Sequence, residues 1–131
     1  MPQMANITVK KADGATDVTY TALSSSAGDQ SPARWSDLSS ATVAARRATY
    51  NSTSRFNGKR DARVVENVLK YPDVQTINGA SVVLGNVVIN ISGTIPLQVT
   101  DTAIAEAVAQ AANLFKASLV QDTFKTGYAA Q

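Results

Sequence analysis

The sequence predicts an α+β protein in which an antiparallel sheet comes first and helix comes last. A hydrophobic alternation with a period of two, typical of β-strands, runs through much of residues 5–95. From about residue 100 the apolar residues recur at helical spacing instead. A length of 131 residues corresponds to one domain. We therefore predict a single domain, 1–131, composed of an N-terminal β-hairpin (1–23), a main antiparallel sheet (24–99) and one or two C-terminal helices (100–127).

The N-terminal hairpin is predicted by two alternating segments, 5–11 and 16–23, on either side of Asp13-Gly14. Glycine accepts the positive φ that tight turns require, so this dipeptide is a turn signal. The small and polar segment 24–32 is the clearest loop in the chain. Around Trp35 we expect a short extra helix.

The main sheet is predicted to contain a second hairpin and a long last strand. Segments 41–54 and 60–71 have strand-forming residues, and Asn57-Gly58 lies between them as a turn signal. Pro72 should end the second strand, because proline has no N–H to donate to a ladder. After another turn signal, Asn78-Gly79, residues 81–95 form the longest apolar strand. Its two faces differ: Val87, Ile89 and Ile91 fall on one side, and Val88, Asn90 and Ser92 fall on the other.

The C-terminal segment has the pattern of an amphipathic helix that begins at Thr100 or Asp101. Capping-box spacing at Ser118 favours a second helix from that residue. Since no Gly or Pro interrupts residues 104–117, one longer helix is the alternative. Gly127 is a suitable stop. The apolar stripe consists of Ile104, Val108, Ala111 and Phe115, with Leu119 on the second helix.

The composition disfavours several classes of function. The chain has no cysteine, which excludes disulfides and thiolate metal sites, and no histidine, the commonest general base. Asp61 and Glu66 would lie on opposite faces of a strand, so they are poor partners for acid–base work. We predict no catalytic residue, metal site or cofactor. No secretory signal and no apolar stretch near the roughly 20 residues that cross a bilayer are visible, so we expect a soluble cytoplasmic protein without a membrane partner.

A basic zone is hidden by the net charge of +2. Between Arg46 and Lys70 there are seven basic and two acidic residues, a balance of +5, whereas the rest of the chain has five basic and eight acidic residues, a balance of −3. A local basic zone on a nearly neutral protein suits a phosphate-facing surface. A merely solvated sheet face is the alternative explanation.

The order of these elements resembles the coat proteins of the single-stranded RNA bacteriophages, the levivirus group. The resemblance covers nearly the whole chain, from the N-terminal hairpin to the C-terminal helices. The most specific match runs from Thr76-Ile77-Asn78-Gly79 through Asn90-Ile91-Ser92-Gly93-Thr94-Ile95-Pro96 to Asp101. This stretch is similar to the family's loop before the last strand, that strand with its Thr-Ile-Pro exit, and the first helix.

The resemblance implies an interlocked homodimer, in which two sheets join into one and the helices of each chain cross the partner's sheet. It implies that dimers close into an icosahedral shell, the virion, around single-stranded phage RNA after assembly in the cytoplasm of a host bacterium. Coat dimers of the family also bind an RNA hairpin at the start of the replicase message and repress its translation. The expected dimer contacts here are Ile104, Val108, Ala111, Phe115 and Leu119.

Candidate RNA contacts follow from the resemblance and from the strand pattern. Asn90 matches the family's hairpin-contacting asparagine, and Val88 stands where family members often carry a tyrosine that stacks on a base. Arginines are expected to hold phosphates, while asparagine and threonine hydrogen-bond base or sugar edges. The full predicted set is Arg47, Thr49, Asn51, Lys59, Arg60, Arg63, Asn67, Val88, Asn90 and Ser92.

Three other hypotheses come from different classes of protein. A cellular β-sheet dimer that binds nucleic acid would explain the basic strands equally well. A phage tail or tube subunit would use its hairpin for contact between subunits. An enzyme is the weakest hypothesis. Assembly state separates the first two from a coat protein, because they would form discrete dimers or tubes in place of closed round particles.

Overall fold

The structure, a computed structural model, describes residues 2–39 and 43–131. Within these described residues, six strands and two α-helices follow one another, with one short 3₁₀ turn between the third and fourth strands. The strands are β1 Ile7–Lys10, β2 Asp17–Ser24, β3 Ala33–Ser36, β4 Thr49–Phe56, β5 Ala62–Ile77 and β6 Ala80–Pro96, the 3₁₀ turn is Ala44–Arg46, and the helices are α1 Asp101–Lys116 and α2 Ser118–Thr126.

The six strands form one sheet in which they lie in chain order. The four pairs from β1 to β5 are antiparallel, as expected for strands joined by short connections. The turn between β5 and β6 places Asn78 at φ 52° and Gly79 at φ 79°. Two consecutive positive φ values match a type I′ hairpin turn, for which Asn-Gly is a preferred sequence. The predicted turn at this dipeptide is confirmed.

Pairing between the strands gives the sheet two different faces, because directly opposed residues of an antiparallel pair share a face. We call one the polar face: Thr8, Lys10, Asp17, Thr19, Thr21, Arg34, Ser36, Thr49, Asn51, Thr53, Arg55, Val64, Glu66, Val68 and Lys70. We call the other the apolar face: Ile7, Val9, Val18, Tyr20, Ala22, Ala33, Trp35, Tyr50, Ser52, Ser54, Phe56, Arg63, Val65, Asn67 and Leu69.

The apolar face carries the aromatic residues of the sheet. Trp35 and Tyr50 are opposed across β3 and β4, with ring centroids 5.4 Å apart, and the Trp35 Nε1–H donates to the carbonyl of Ala5 at 2.8 Å. Desolvation raises the pKa of Tyr50. Among the described residues, however, the buried hydrophobic ones are only Ala48 and Ala62, and no large side chain is fully buried. The described part of one chain therefore lacks a core of the kind that usually stabilises a domain.

The C-terminal unit contains two helices separated by one extended residue. The hydroxyl of Thr100 accepts from the backbone N–H of Ala103 at 3.2 Å, so Thr100, one of the two predicted start residues, is the N-cap of α1. Ala117 has φ −65° and ψ 136°, which ends α1, and α2 begins at Ser118. The alternative of one longer helix is therefore wrong. Gly127 closes α2 at φ 80°, and neither helix is long and apolar enough to cross a bilayer.

Three sequence predictions need correction. Trp35 lies in β3 and not in a short helix, because its segment pairs with both β2 and β4. The strand predicted over 41–54 begins only at Thr49, after the 3₁₀ turn, and residues 40–42 lie outside the described part of the chain. Pro72 does not end β5, which continues to Ile77. Pairing with β4 stops at Lys70, so Pro72 has no ladder partner to lose on that side.

Candidate nucleic-acid interface

The centre of the polar face is a basic surface built by β3, β4 and β5. Arg34 lies opposite Asn51, Thr49 opposite Lys70, and Thr53 opposite Glu66. Three basic residues and one acidic residue give this surface a net charge of +2. Proteins generally use hydroxyl, amide and guanidinium groups of this kind to contact the phosphates, sugars and bases of RNA. We call it the central polar patch, and its members are Arg34, Thr49, Asn51, Thr53, Arg55, Glu66 and Lys70.

One ion pair crosses the central polar patch. Arg55 Nη2 lies 3.3 Å from Glu66 Oε1, and the two side chains are 42% and 49% exposed. An ion pair at this exposure contributes little to stability, because water screens it. Both groups are therefore accessible to a ligand that offers better geometry.

Two predicted RNA contacts on β4, Thr49 and Asn51, lie in the central polar patch. Arg47 was expected on the same strand. It instead lies in the segment between the 3₁₀ turn and β4, and it is half-buried. Arg46, in the 3₁₀ turn, donates from Nη2 to the carbonyl of Ser81 at 2.9 Å. The two adjacent arginines thus do not extend the β4 face.

The predicted contacts on β5 do not share a face with those on β4. Arg63 is opposed to Phe56, and Asn67 is opposed to Ser52, so both belong to the apolar face. The connection between the strands sets this register: an odd-numbered residue of β4 pairs with an even-numbered residue of β5. A shift of one residue would reverse the arrangement, and turn signals alone do not specify it.

Arg63 has a partner that explains its position. Its guanidinium binds both carboxylate oxygens of Asp29, at 3.0 and 2.7 Å, and stacks on the Phe56 ring 4.4 Å from the centroid. The Arg63 guanidinium holds the pKa of the Asp29 carboxyl below its usual range, and Asp29 raises the pKa of Arg63. Gln30 also donates its backbone N–H to the carbonyl of Ser54 at 2.9 Å. Arg63 therefore anchors the 24–32 loop to the β4–β5 hairpin.

The remaining basic candidates lie in the connection between β4 and β5. Arg60 adopts φ 57° and places its guanidinium 4.7 Å from the centroid of the Phe56 ring. Lys59 is exposed beside it. Asn57 closes this connection through hydrogen bonds with Asp61, including one from its side-chain amide to the carboxylate. Lys59 and Arg60 therefore lie at the end of the hairpin and not on the strands.

A pocket of about 320 Å³ lies where the middle of β5 runs beside β6. It brings together three predicted residues, Asn67, Asn90 and Ser92, but not Val88. Two of the three β5 residues that line it, Glu66 and Val68, belong to the polar face. The complete lining is Glu66, Asn67, Val68, Asn90, Ile91 and Ser92.

Five residues of the central polar patch were not among the predicted RNA contacts: Arg34, Thr53, Arg55, Glu66 and Lys70. Thr53 and Arg55 could have been predicted, because the alternation that begins with Thr49 and Asn51 continues to them along the same strand. Arg34 was hidden by the expected helix around Trp35. Glu66 and Lys70 required the register of β5, which the sequence did not reveal.

The predicted dimer contacts lie on the two C-terminal helices. Val108 and Leu119 are 61% and 64% exposed, and Ala111 is also exposed. Phe115 contacts Phe124 of α2, with ring centroids 5.4 Å apart, and Ile104 is half-buried. In the single chain this apolar stripe is thus largely open to solvent.

Sequence comparison finds no matching family model and no matching curated protein. Comparison of folds does find matches. The virus-like particle of Beihai levi-like virus 21 aligns over 99% of this chain and 99% of its own, with a TM-score of 0.83 at 11% identity. The virus-like particle of bacteriophage NT-214 aligns over 99% of this chain and 100% of its own, with a TM-score of 0.81 at 15% identity.

This is the coat-protein fold of the RNA bacteriophages. A third solved structure with this fold, an unassembled and RNA-binding bacteriophage coat protein dimer, aligns over 96% of both chains with a TM-score of 0.63 at 17% identity. The predicted fold class, a hairpin and antiparallel sheet followed by one or two helices, is confirmed, and the structure has two helices. The coat-protein fold spans the sheet and the helices alike, since each alignment covers nearly the whole chain.

Proposed function

We propose that this chain is a phage coat protein, whose dimers close into an icosahedral shell around single-stranded RNA. One observation carries the proposal: in this chain with the coat-protein fold, the apolar face of the sheet and the apolar stripe of the helices are largely exposed and not buried in a core. Such a chain requires another copy to bury these surfaces. The proposal includes no catalytic residue, metal or cofactor.

The dimer would form by covering the apolar face of each sheet with the helices of the other copy. Ile7 and Val9 of the apolar face are 36% and 43% exposed, and Val108 and Leu119 of the helices are more exposed still. Apolar area of this kind contributes about 25 cal/mol per Å² when it leaves water. Strand edges joined across the dimer would also remove a site of aggregation.

The RNA would lie on the polar face, inside the shell. The central polar patch supplies cations for phosphates together with hydroxyl and amide groups for sugars and bases. Asn90 and Ser92 add hydrogen-bonding groups in the pocket beside it. We further propose that dimers bind an RNA hairpin, repress translation of the replicase message, and assemble in the cytoplasm of the bacterial host before residing in the virion.

Electron microscopy of the protein expressed in bacteria tests the proposal. The expected result is round closed particles whose absorbance ratio at 260 and 280 nm shows RNA that survives nuclease treatment. Tubes would favour a tail subunit. Discrete dimers that bind RNA would favour a cellular nucleic-acid-binding protein, and particles without RNA would contradict the role of the polar face.

A further inference from the structure

Glu66 is the only acidic residue of the central polar patch. It shares the patch with three basic residues, Arg34, Arg55 and Lys70, and its side chain, which lines the pocket, is 49% exposed. A carboxylate on a phosphate-binding surface repels the RNA backbone, so it lowers general affinity. Its 3.3 Å ion pair with Arg55 is exposed and weak. The repulsion would be offset if Glu66 bound a group of the RNA other than a phosphate.

We propose that Glu66 selects an unpaired guanine in the pocket between β5 and β6, an inference that rests on the proposed RNA-binding function. Glu66 and Val68 contribute to this pocket from the polar face, so the base would enter from the side on which the phosphates lie. Asn90 and Ser92 line the same pocket from β6 and supply an amide and a hydroxyl group. The pocket volume of about 320 Å³ accommodates a single base.

The choice of guanine follows from hydrogen-bonding chemistry. An ionised carboxylate only accepts hydrogen bonds, and it has two oxygens side by side. Guanine presents two adjacent donors, N1–H and N2–H, on its Watson–Crick edge. Adenine and cytosine present one amino donor next to an acceptor, and uracil presents one N–H between two acceptors. RNA-binding proteins commonly recognise unstacked bases on this edge.

The substitution Glu66→Gln provides a test that goes beyond loss of binding. It preserves the size of the side chain but replaces one acceptor with a donor, so the side chain no longer presents two acceptors to the N1–H and N2–H donors of guanine. The full-length dimer and its variant would be incubated with RNA hairpins that share one stem and carry a randomised loop. Sequencing of the retained RNA then reports the preferred base at each loop position.

The wild-type protein should enrich guanine at one loop position by about tenfold or more, and Glu66→Gln should lose this preference. Asp17→Asn is a matched control, because Asp17 is also a carboxylate of the polar face and forms an ion pair with Lys10. It lies on β2, three strands away from β5. This substitution removes the same charge and should leave the guanine preference intact. A melting curve of each variant verifies folding.

The outcomes separate the two proposals. If wild type and Glu66→Gln retain RNA but enrich the same base, or enrich none, the role of Glu66 is wrong while RNA binding stands. An equal loss of preference in Asp17→Asn would assign the effect to net charge and also overturn the role of Glu66. If the wild-type protein retains no RNA at all, both the role of Glu66 and the proposed RNA-binding function fail.

Discussion

Arg55 and Arg63 belong to the same hairpin but lie on opposite faces of the sheet. Arg55 extends the line of Thr49 and Asn51 on the polar face, where its ion pair with Glu66 is exposed. Arg63 faces the other way and is held by Asp29 and by the ring of Phe56. Two residues of one type therefore have different physical roles, which the direction of each side chain decides.

Arg55→Ala should weaken RNA binding across sequences and reduce the slope of log affinity against log salt concentration by about 1, because one phosphate contact is lost. Arg63→Ala is the matched control, since it removes the same charge from the opposite face. Filter-binding titrations with one RNA at several salt concentrations provide the measurement. A reduced slope for Arg63→Ala with no change for Arg55→Ala would mean that the RNA lies on the other face.

Asp29 should stabilise the fold in a pH-dependent way. Its carboxyl has a pKa below the ordinary value of 3.8, mainly through hydrogen bonds from Arg63. A depressed pKa in the folded state stabilises the protein above the ordinary pKa, and this contribution is lost as the pH falls through the folded-state value. Asp29→Asn should therefore be less stable than wild type in urea at pH 7. The two proteins should approach equal stability as the pH falls well below 3.8, and a constant difference would contradict the assignment.

At the scale of the element, the C-terminal helices have an apolar side that their own unit does not bury. Val108 is 61% exposed, although it occupies the middle of the stripe on α1. Helices of this length are marginal in water unless an amphipathic face is packed. Asn113 lies on the opposite side of α1, where the residues are polar and water satisfies them without a packing partner.

Val108→Asp should weaken dimerisation by at least about 100-fold, because it places an unpaired charge in the proposed contact. Asn113→Asp introduces the same residue on the opposite side of the helix and should remain dimeric. Light scattering after size-exclusion chromatography, over a range of protein concentrations, distinguishes the two. Dimers of equal strength in both variants would remove the stripe from the interface.

At the scale of the whole molecule, the proposed interior of the protein is shared between two chains. The described part of one chain buries only Ala48 and Ala62 among its hydrophobic residues, while Leu84, Val87 and Tyr71 are each more than half exposed. Obligate homodimers often have no stable folded monomer, so the stability of the proposed dimer should depend on the concentration of the chain.

The melting temperature of the unassembled dimer should therefore rise with protein concentration. Each tenfold increase adds about 1.4 kcal/mol per mole of dimer, which corresponds to roughly 3 °C for a protein of this size. Circular dichroism melts over two decades of concentration measure this shift. A chemically cross-linked dimer serves as the control, because its melting temperature should not vary. A constant melting temperature for the free protein would indicate a self-sufficient monomer.

Much of the fold could be predicted because local patterns determine it. The turn at Asn78-Gly79, the helix start at Thr100 and the stop at Gly127 all depend on neighbouring residues alone. The break between the helices was also indicated, although its cap, Ala117, supplies no side-chain hydrogen bond. The strand at Trp35 was missed, because its stability comes from pairing with β2 and β4, which are distant in sequence.

By itself, the sequence determined that an antiparallel sheet precedes the C-terminal helices. It also determined the basic zone and the apolar stripe, since period and composition are local properties. Only the tertiary structure decided which side chains share a face. The register of β4 with β5 moved Arg63 and Asn67 to the apolar face and brought Arg55, Glu66 and Lys70 beside Thr49 and Asn51. The physical reason is that strand side chains alternate, so a difference of one residue in pairing exchanges the two faces while leaving every local pattern unchanged.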